Sequence, residues 1–326
     1  MRNNSLAPSR SIIFGPVPSR RLGRSLGIDL LPCKMCSFDC IYCECGPTEC
    51  LTLDRFSEPS PAEVLSILKT FIREFQPQFD VITFSGSGEP TLYEPIGNLI
   101  DLIKREFPHY PVAVLTNGSL FSDPSVRTSL LKADIVSPSL DAPNEALFRK
   151  INRPHPSLTW EELVEGLIAF RKEYHGHYRL EVLLIKGIND APEHLEQIAN
   201  IICHIKPDMV DLTTLARPGT ISNLQGLSPE ELKLCADYLK GIPSSIVGDY
   251  SKKGSTHKKT ISFQKLEAQI INLLARRPCS LEDLADSLGV SVEEASHVIS
   301  SLKERHRLLI HDINGKLFYS LASALP

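Results

Sequence analysis

No apolar run in this 326-residue sequence is long enough to span a bilayer. The opening residues, MRNNSLAPSR, lack the apolar stretch of a secretory signal. Together these absences argue for a cytoplasmic chain with no membrane partner, in a compartment that keeps thiols reduced. Positive charge is not in excess either. Lys and Arg number 35 against 39 Asp and Glu, a formal net charge of -4, so no global basic field draws in nucleic acid. No cysteine precedes Cys33, yet the chain has nine, six of them between Cys33 and Cys50. An odd number of thiols in a reducing compartment reads as ligands or buried side chains rather than a disulfide framework. The scattered three, Cys203, Cys235 and Cys279, are expected to be small core residues. The length allows a large core and more than one domain.

Strand-like and helix-like segments alternate about six times before residue 250. SLGIDLL (25–31) reads as a first strand, and PAEVLSILKTFIREF (61–75) carries apolar residues at helical spacing. Strands are expected at 81–84, 111–116, 134–140, 179–186 and 208–215. Helices are expected at 96–107, 125–133, 160–174, 192–205 and 228–241, with SSIVGDY (244–250) as an extra late strand. Repeated units of this kind imply an α/β fold, a parallel sheet with helices outside, closed or partly closed into a barrel over 1–250. The polar, basic stretch 251–261 reads as a linker. From 262 to 326 the order is helix, two helices with good N-caps at Ser280 and Ser291, then two β-rich runs around Asn314-Gly315, a hairpin signal. That is the order of a small winged helix-turn-helix domain. Its presumed recognition helix carries Glu293, Glu294, His297, Ser300 and Ser301 before its first Lys, so it offers few contacts for nucleic acid, the partner such domains commonly take.

CKMCSFDCIYC, from Cys33 to Cys43, has the spacing C-x2-C-x3-C-x2-C. Clustered thiolates in a reduced compartment mean zinc or iron–sulfur. Structural zinc usually takes two ligand pairs separated by a longer spacer, and no second pair follows at a suitable distance. A four-thiolate ferredoxin site has no open iron, whereas a three-cysteine set leaves one iron free for a cofactor or substrate.

CSFDCIYC resembles the C-x3-C-x-aromatic-C loop of the radical S-adenosylmethionine (radical SAM) superfamily. The resemblance implies that Cys36, Cys40 and Cys43 hold a [4Fe-4S] cluster. S-adenosylmethionine would chelate the fourth iron, and Tyr42 would pack on or bond to the adenine. Cys33 falls outside the motif. FSGSGEPTL, after the strand VITF, is similar to the superfamily's Gly-Gly-Glu segment, here Gly86, Ser87, Gly88 and Glu89. Small residues at a strand end let backbone approach a ligand, and carbonyls with a carboxylate suit the methionyl ammonium. Thr91 and Pro90 break the pattern of a dinucleotide-binding turn.

Barrel sites lie at the C-terminal ends of strands, and those ends are polar here. Asn117, Ser139 and Lys186 are the chosen cofactor contacts, and Asp141 suits a ribose hydroxyl. Arg20 and Arg21 before the first strand, Arg153 and His155 in KINRPHPS, and Arg217 are candidates for the substrate. The likeness spans 14–247 and extends, through GPVPSRRLG, SGSGEPT and TNGSL, to the group that includes the tRNA wyosine-base synthases. It implies reductive cleavage of S-adenosylmethionine to a 5′-deoxyadenosyl radical, with electrons from a reductant such as ferredoxin or flavodoxin, and a tRNA base or other nucleotide as the substrate class. The synthases carry a second cluster on upstream cysteines that this chain lacks, and the substrate itself is not legible. Two rivals are a non-catalytic iron–sulfur sensor acting through the winged helix and a zinc-stabilised binding protein.

Overall fold

The computed structural model describes residues 11–247, 262–313 and 315–322. The expected linker, 251–261, and Asn314 of the expected hairpin turn lie outside them. Strands β1 (Ile13–Ser19) and β2 (Gly23–Ile28) form an antiparallel pair. Two short strands in the cysteine loop, β3 (Met35–Cys36) and β4 (Cys50–Leu51), pair in parallel. Then come α1 (Pro61–Phe75), β5 (Val81–Phe84), α2 (Ile96–Glu106), β6 (Val112–Leu115), α3 (Pro124–Leu130) and β7 (Ile135–Ser137). Two helices follow, α4 (Glu145–Ile151) and α5 (Trp160–Glu173). The sheet part ends with β8 (His177–Leu184), α6 (Pro192–Ile205), β9 (Met209–Thr214), α7 (Pro229–Ala236) and β10 (Ser244–Ile246).

Eight strands make one sheet in the order β1-β2-β5-β6-β7-β8-β9-β10. From β2 onward every neighbouring pair is parallel. VITF of β5 is buried at all four positions, as a parallel strand covered on both faces must be. β8 instead alternates, with Leu180, Val182 and Leu184 buried and Glu181 and Leu183 on the opposite face. That alternation turns Glu181 and Leu183 toward the functional cavity. Capping boxes start α1 at Ser60/Glu63, α5 at Thr159/Glu162 and α7 at Ser228/Glu231, so each helix begins where its own side chains satisfy the free N–H groups.

Two elements differ from the sequence expectation. SLGIDLL is expected as the first strand with GPVPSRRLG before it, yet 13–19 is already a strand, whose prolines sit on a sheet edge where a missing N–H costs little. α4 has only seven residues, too few for a periodic signal. Cys235 and Cys279 are buried as expected, but Cys203 is exposed. α6 buries Leu195, Ile198, Ile202 and Ile205, and Cys203 is rotated off that stripe.

The C-terminal part comprises α8 (Phe263–Leu274), α9 (Leu281–Leu288), α10 (Val292–Glu304) and the antiparallel pair β11 (Leu308–Ile313) and β12 (Lys316–Leu321). A further antiparallel bridge joins Cys279 to Tyr319. This unit shares its apolar core with the sheet edge: Phe14 and Val17 of β1 pack with Leu266, Ile270, Leu273 and Leu284. Phe14 lies between Gly27 below and the Arg276 guanidinium 4.6 Å from its ring centroid. A Cβ on Gly27 would stand 2.1 Å from the Phe14 ring, so the ring would have to shift against Arg276 and its other neighbours. Gly27→Ala is therefore expected to lose about 1–3 kcal/mol of stability through overpacking. Urea unfolding measures it, and an unshifted midpoint would contradict this packing.

Candidate active site

The cysteine loop is pinned from several directions before its side chains are considered. Thr52 N donates to Cys36 O (3.0 Å), Ile41 N to Ile151 O (2.9 Å) and Glu89 N to Met35 O (3.2 Å). Each of Cys36, Cys40 and Cys43 then receives a nitrogen donor from a different place in the chain. Asn117 Nδ2 lies 3.6 Å from Cys36 Sγ, Asn152 Nδ2 3.6 Å from Cys40 Sγ, and Lys34 Nζ 2.7 Å from Cys43 Sγ. Burial pushes the Cys36 thiol up to about 12, with the Glu89 carboxylate adding to it. Burial likewise drives Cys40 well above the ordinary thiol range, with Cys43 and Cys36 next in effect. Cys43 goes the other way: a hydrogen bond from the Cys45 thiol lowers it most, and Lys34 helps against burial. Lys34 is itself buried, yet the Cys43 and Cys45 sulfurs keep its ammonium above the usual lysine value. Donors aimed at sulfur favour the thiolate, the form that binds metal.

The segment 86–89 abuts this loop so tightly that Gly88 admits no side chain: a Cβ there would stand 1.8 Å from Met35 O. Gly86 has φ +147°, and a Cβ would fall 2.3 Å from Asp29 Cγ. Ser87 Oγ donates to Asp29 Oδ2 at 2.6 Å. The buried Glu89 carboxylate accepts from Thr91 N (3.0 Å), Thr91 Oγ1 (2.6 Å), Thr116 Oγ1 (2.6 Å) and Asn117 N (2.7 Å). Of the four, Gly86 alone lines the cavity; the other three hold the segment and Asn117 in place.

A cavity of about 1130 Å³ opens beside Tyr42, Cys43, Cys45 and Gly86 and is closed on its far side by the C-terminal unit. Tyr42 is set by Asp141, which accepts its hydroxyl at 2.5 Å and also bonds Asn152 Nδ2 (2.9 Å) and Leu183 N (3.0 Å). Burial raises Asp141 to about 6 against those three donors. Arg20, Arg21 and Arg217 line the cavity. Arg21 pairs with Glu181 at 2.5 Å, and Arg217 spans Glu44 of the cysteine loop (3.6 Å) and Asp283 of α9 (3.1 Å).

Radical SAM superfamily sequences match this chain over residues 30–201, more than half its length and including all three cysteines. The chain belongs to the radical SAM superfamily. It is 32% identical to a UPF0026 protein of Methanocaldococcus jannaschii over 95% of both chains. It is 39% identical, over 95% of its own length, to a protein of Brachyspira hyodysenteriae named GTPase Obg, but spans only 45% of that protein. No G-x-x-x-x-G-K-[ST] phosphate loop occurs in this sequence. Over 68% of its length its fold is similar to that of a radical SAM methyltransferase from Sphaerobacter thermophilus (TM-score 0.52, 21% identity, 65% of that chain). Radical SAM proteins use a [4Fe-4S] cluster with S-adenosylmethionine and require an external reductant.

The thiols fit that cluster. Among the described residues no three His, Cys, Asp or Glu side chains converge on one point to hold a single ion. A radical SAM cluster asks for no such convergence, because each thiolate binds its own iron. The donor to each sulfur is the kind of outer contact that orients and tunes cluster ligands.

Several expected contacts lie elsewhere. Lys186 is exposed and paired with Glu231 at 2.5 Å, so it does not reach the cavity. Ser139 is half-buried in a bridge to Glu181 and is not on the cavity wall. Arg153 pairs with Asp39 at 3.7 Å, and His155 N donates to Ser37 O at 2.8 Å. KINRPHPS thus braces the cysteine loop from outside, a consequence of its bridge between Pro154 and Phe38. Sequence reasoning missed Lys34, Asn152, Asp29 and Arg276. Lys34 lies inside the cysteine run, Asn152 inside KINRPHPS and Asp29 in SLGIDLL just before the cysteines, whereas Arg276 comes from the C-terminal part.

Proposed function

We propose that Cys36, Cys40 and Cys43 hold the [4Fe-4S] cluster of a radical SAM enzyme, with S-adenosylmethionine and the substrate in the adjoining cavity. The observation that carries this reading is a set of three thiols, each hydrogen-bonded from a separate nitrogen donor, of which Cys43 lines a cavity of about 1130 Å³. When bound and reduced, cluster and cofactor supply a 5′-deoxyadenosyl radical that abstracts a substrate hydrogen. The chain's own part is to position and to exclude water. Gly86 brings bare backbone to the cavity wall, where its carbonyl can meet the cofactor's ammonium. Tyr42, locked by Asp141, presents its ring beside Cys43 for the adenine, and Asn117 bonds both Cys36 and Ser37.

The open parallel sheet supports a partial (β/α)6 barrel, and the three helices with their strand pair and the Cys279–Tyr319 bridge support a winged helix. The winged helix is turned inward as the roof of the cavity. A non-catalytic sensor working through that domain has no use for a cavity at its thiols. The substrate class favoured by the sequence likeness is a tRNA base or other nucleotide.

Anaerobic reconstitution is expected to load about four irons per chain, and the reduced protein to release 5′-deoxyadenosine. Zinc without iron would overturn the reading. An unchanged set of modified tRNA nucleosides in a deletion strain would remove the tRNA substrate. Lys34 gives a sharper check. A unit charge about 4 Å away in an effective dielectric of about 20 is worth up to about 4 kcal/mol. Lys34→Gln should therefore lower the cluster's reduction potential by on the order of 100 mV. An unchanged potential would place the ammonium away from the cluster.

A further inference from the structure

The cavity is larger than one cofactor needs. Sites for drug-sized ligands run to roughly 300–1000 Å³, and S-adenosylmethionine is an ordinary member of that size class. A cavity of about 1130 Å³ leaves room for a second molecule. Its wall charges indicate what kind. Arg21 is neutralised by Glu181, Arg217 by Glu44 and Asp283, and Arg276 by Asp29. Arg20 and Arg277 are not. Among the described residues neither has an ion-pair partner within 4.0 Å or a side-chain hydrogen bond. Arg277 Nη2 is buried with no acceptor. Burial lowers the Arg20 pKa, and the neighbouring Arg217 and Arg21 add to that against Glu44 and Glu181. The neighbouring acid that acts on Arg277, Asp283, is already committed to Arg217.

A buried donor without an acceptor is costly, and Arg277 Nη2 on the same cavity wall as the half-buried Arg20 guanidinium is accounted for by an anion that arrives with the ligand. Arg20 comes from the turn between β1 and β2, and Arg277 from the turn between α8 and α9, so two forks enter from two parts of the fold. A carboxylate offers two oxygens in one plane, which a single fork satisfies. A phosphate offers oxygens on several sides.

We propose that Arg20 and Arg277 together hold a phosphate group of the substrate, so that the C-terminal unit supplies half of the substrate site. This rests on the cavity being the reaction site, and it assigns the C-terminal unit to substrate selection.

Inorganic pyrophosphate is the probe, titrated calorimetrically into the full chain without cluster or cofactor. One site is expected. Arg20→Gln and Arg277→Gln should each raise Kd about tenfold to a hundredfold, the loss of one charged hydrogen-bond donor. Arg20→Lys and Arg277→Lys should recover part of it, which a misfolded protein would not do. Arg73→Gln, on the exposed face of α1, should leave Kd unchanged. Equal Kd in all variants, no binding to the unaltered protein, or tighter binding of citrate than of pyrophosphate would each overturn the proposal. Release of 5′-deoxyadenosine is read separately. Its absence from the unaltered protein sinks the enzyme reading, while the titration still decides the phosphate site.

Discussion

Cys36→Ala, Cys40→Ala and Cys43→Ala are each expected to abolish stable iron binding, while Cys33→Ala retains it. In the proposed site three thiolates would hold three irons of the cluster, so loss of any one would leave a further iron with no protein ligand. The alanine variants should still fold, because backbone hydrogen bonds from Thr52, Ile41 and Glu89 pin the loop independently of the thiols. Cys33 lies off the cavity wall, outside the C-x3-C-x2-C spacing. Cys45 is nearer, but its thiol donates to Gly86 O at 3.2 Å and to Cys43, so Cys45→Ala is expected to keep the iron as well. Iron and acid-labile sulfide per chain, with the visible charge-transfer absorption, measure all five variants. Loss of iron from Cys33→Ala together with its retention in Cys36→Ala would reverse the ligand assignment.

Arg276→Met should cost about 3–5 kcal/mol of stability and weaken S-adenosylmethionine binding without changing iron content. Arg276 Nε meets Asp29 Oδ2 at 3.0 Å, with the two side chains only 4% and 1% exposed. The same guanidinium donates to Asn272 O at 2.8 Å, to Asn272 Oδ1 and to Ser11 O. Removing it leaves the Asp29 carboxylate buried with Ser87 and the Leu31 amide as its side-chain-directed donors among the described residues. Asp29 fills the space that makes Gly86 obligatory and takes the Ser87 hydroxyl, so its displacement frees the segment that faces the cofactor. Asp29→Asn combined with Arg276→Met should recover part of the stability, since no uncompensated charge remains buried. Urea unfolding gives the first effect and equilibrium dialysis of S-adenosylmethionine the second. A change within about 0.5 kcal/mol, the range of ordinary surface substitutions, would show that the pair does not couple the two parts of the protein.

Much of the site was legible because its chemistry is local. The C-x3-C-x2-C spacing in an eight-residue stretch, the glycines after VITF and the helical stripes of α1 and α6 are all short-range patterns. Of the two glycines Gly86 meets the cavity, whereas Gly88 is required by the Met35 carbonyl pressed against it. Lys186 failed as a cofactor contact because position after a strand says nothing about direction, and its side chain turns to Glu231 of α7. Arg153 and His155 failed because a proline-rich loop can brace a site from behind as well as face it.

By itself the sequence determined the alternation of strands and helices, the three candidate ligands and the small-residue segment beside them, since spacing along one short stretch suffices for each. Only the tertiary structure decided which charges meet. Asp29 and Arg276 are 247 residues apart and Arg217 and Asp283 are 66 apart. Such pairs depend on how the C-terminal helices dock on β1, which Phe14, Val17 and their apolar neighbours settle through shape. Among the described residues the same docking leaves Arg20 and Arg277 without an ion pair, because packing brings the acids of that wall to Arg21, Arg217 and Arg276 instead.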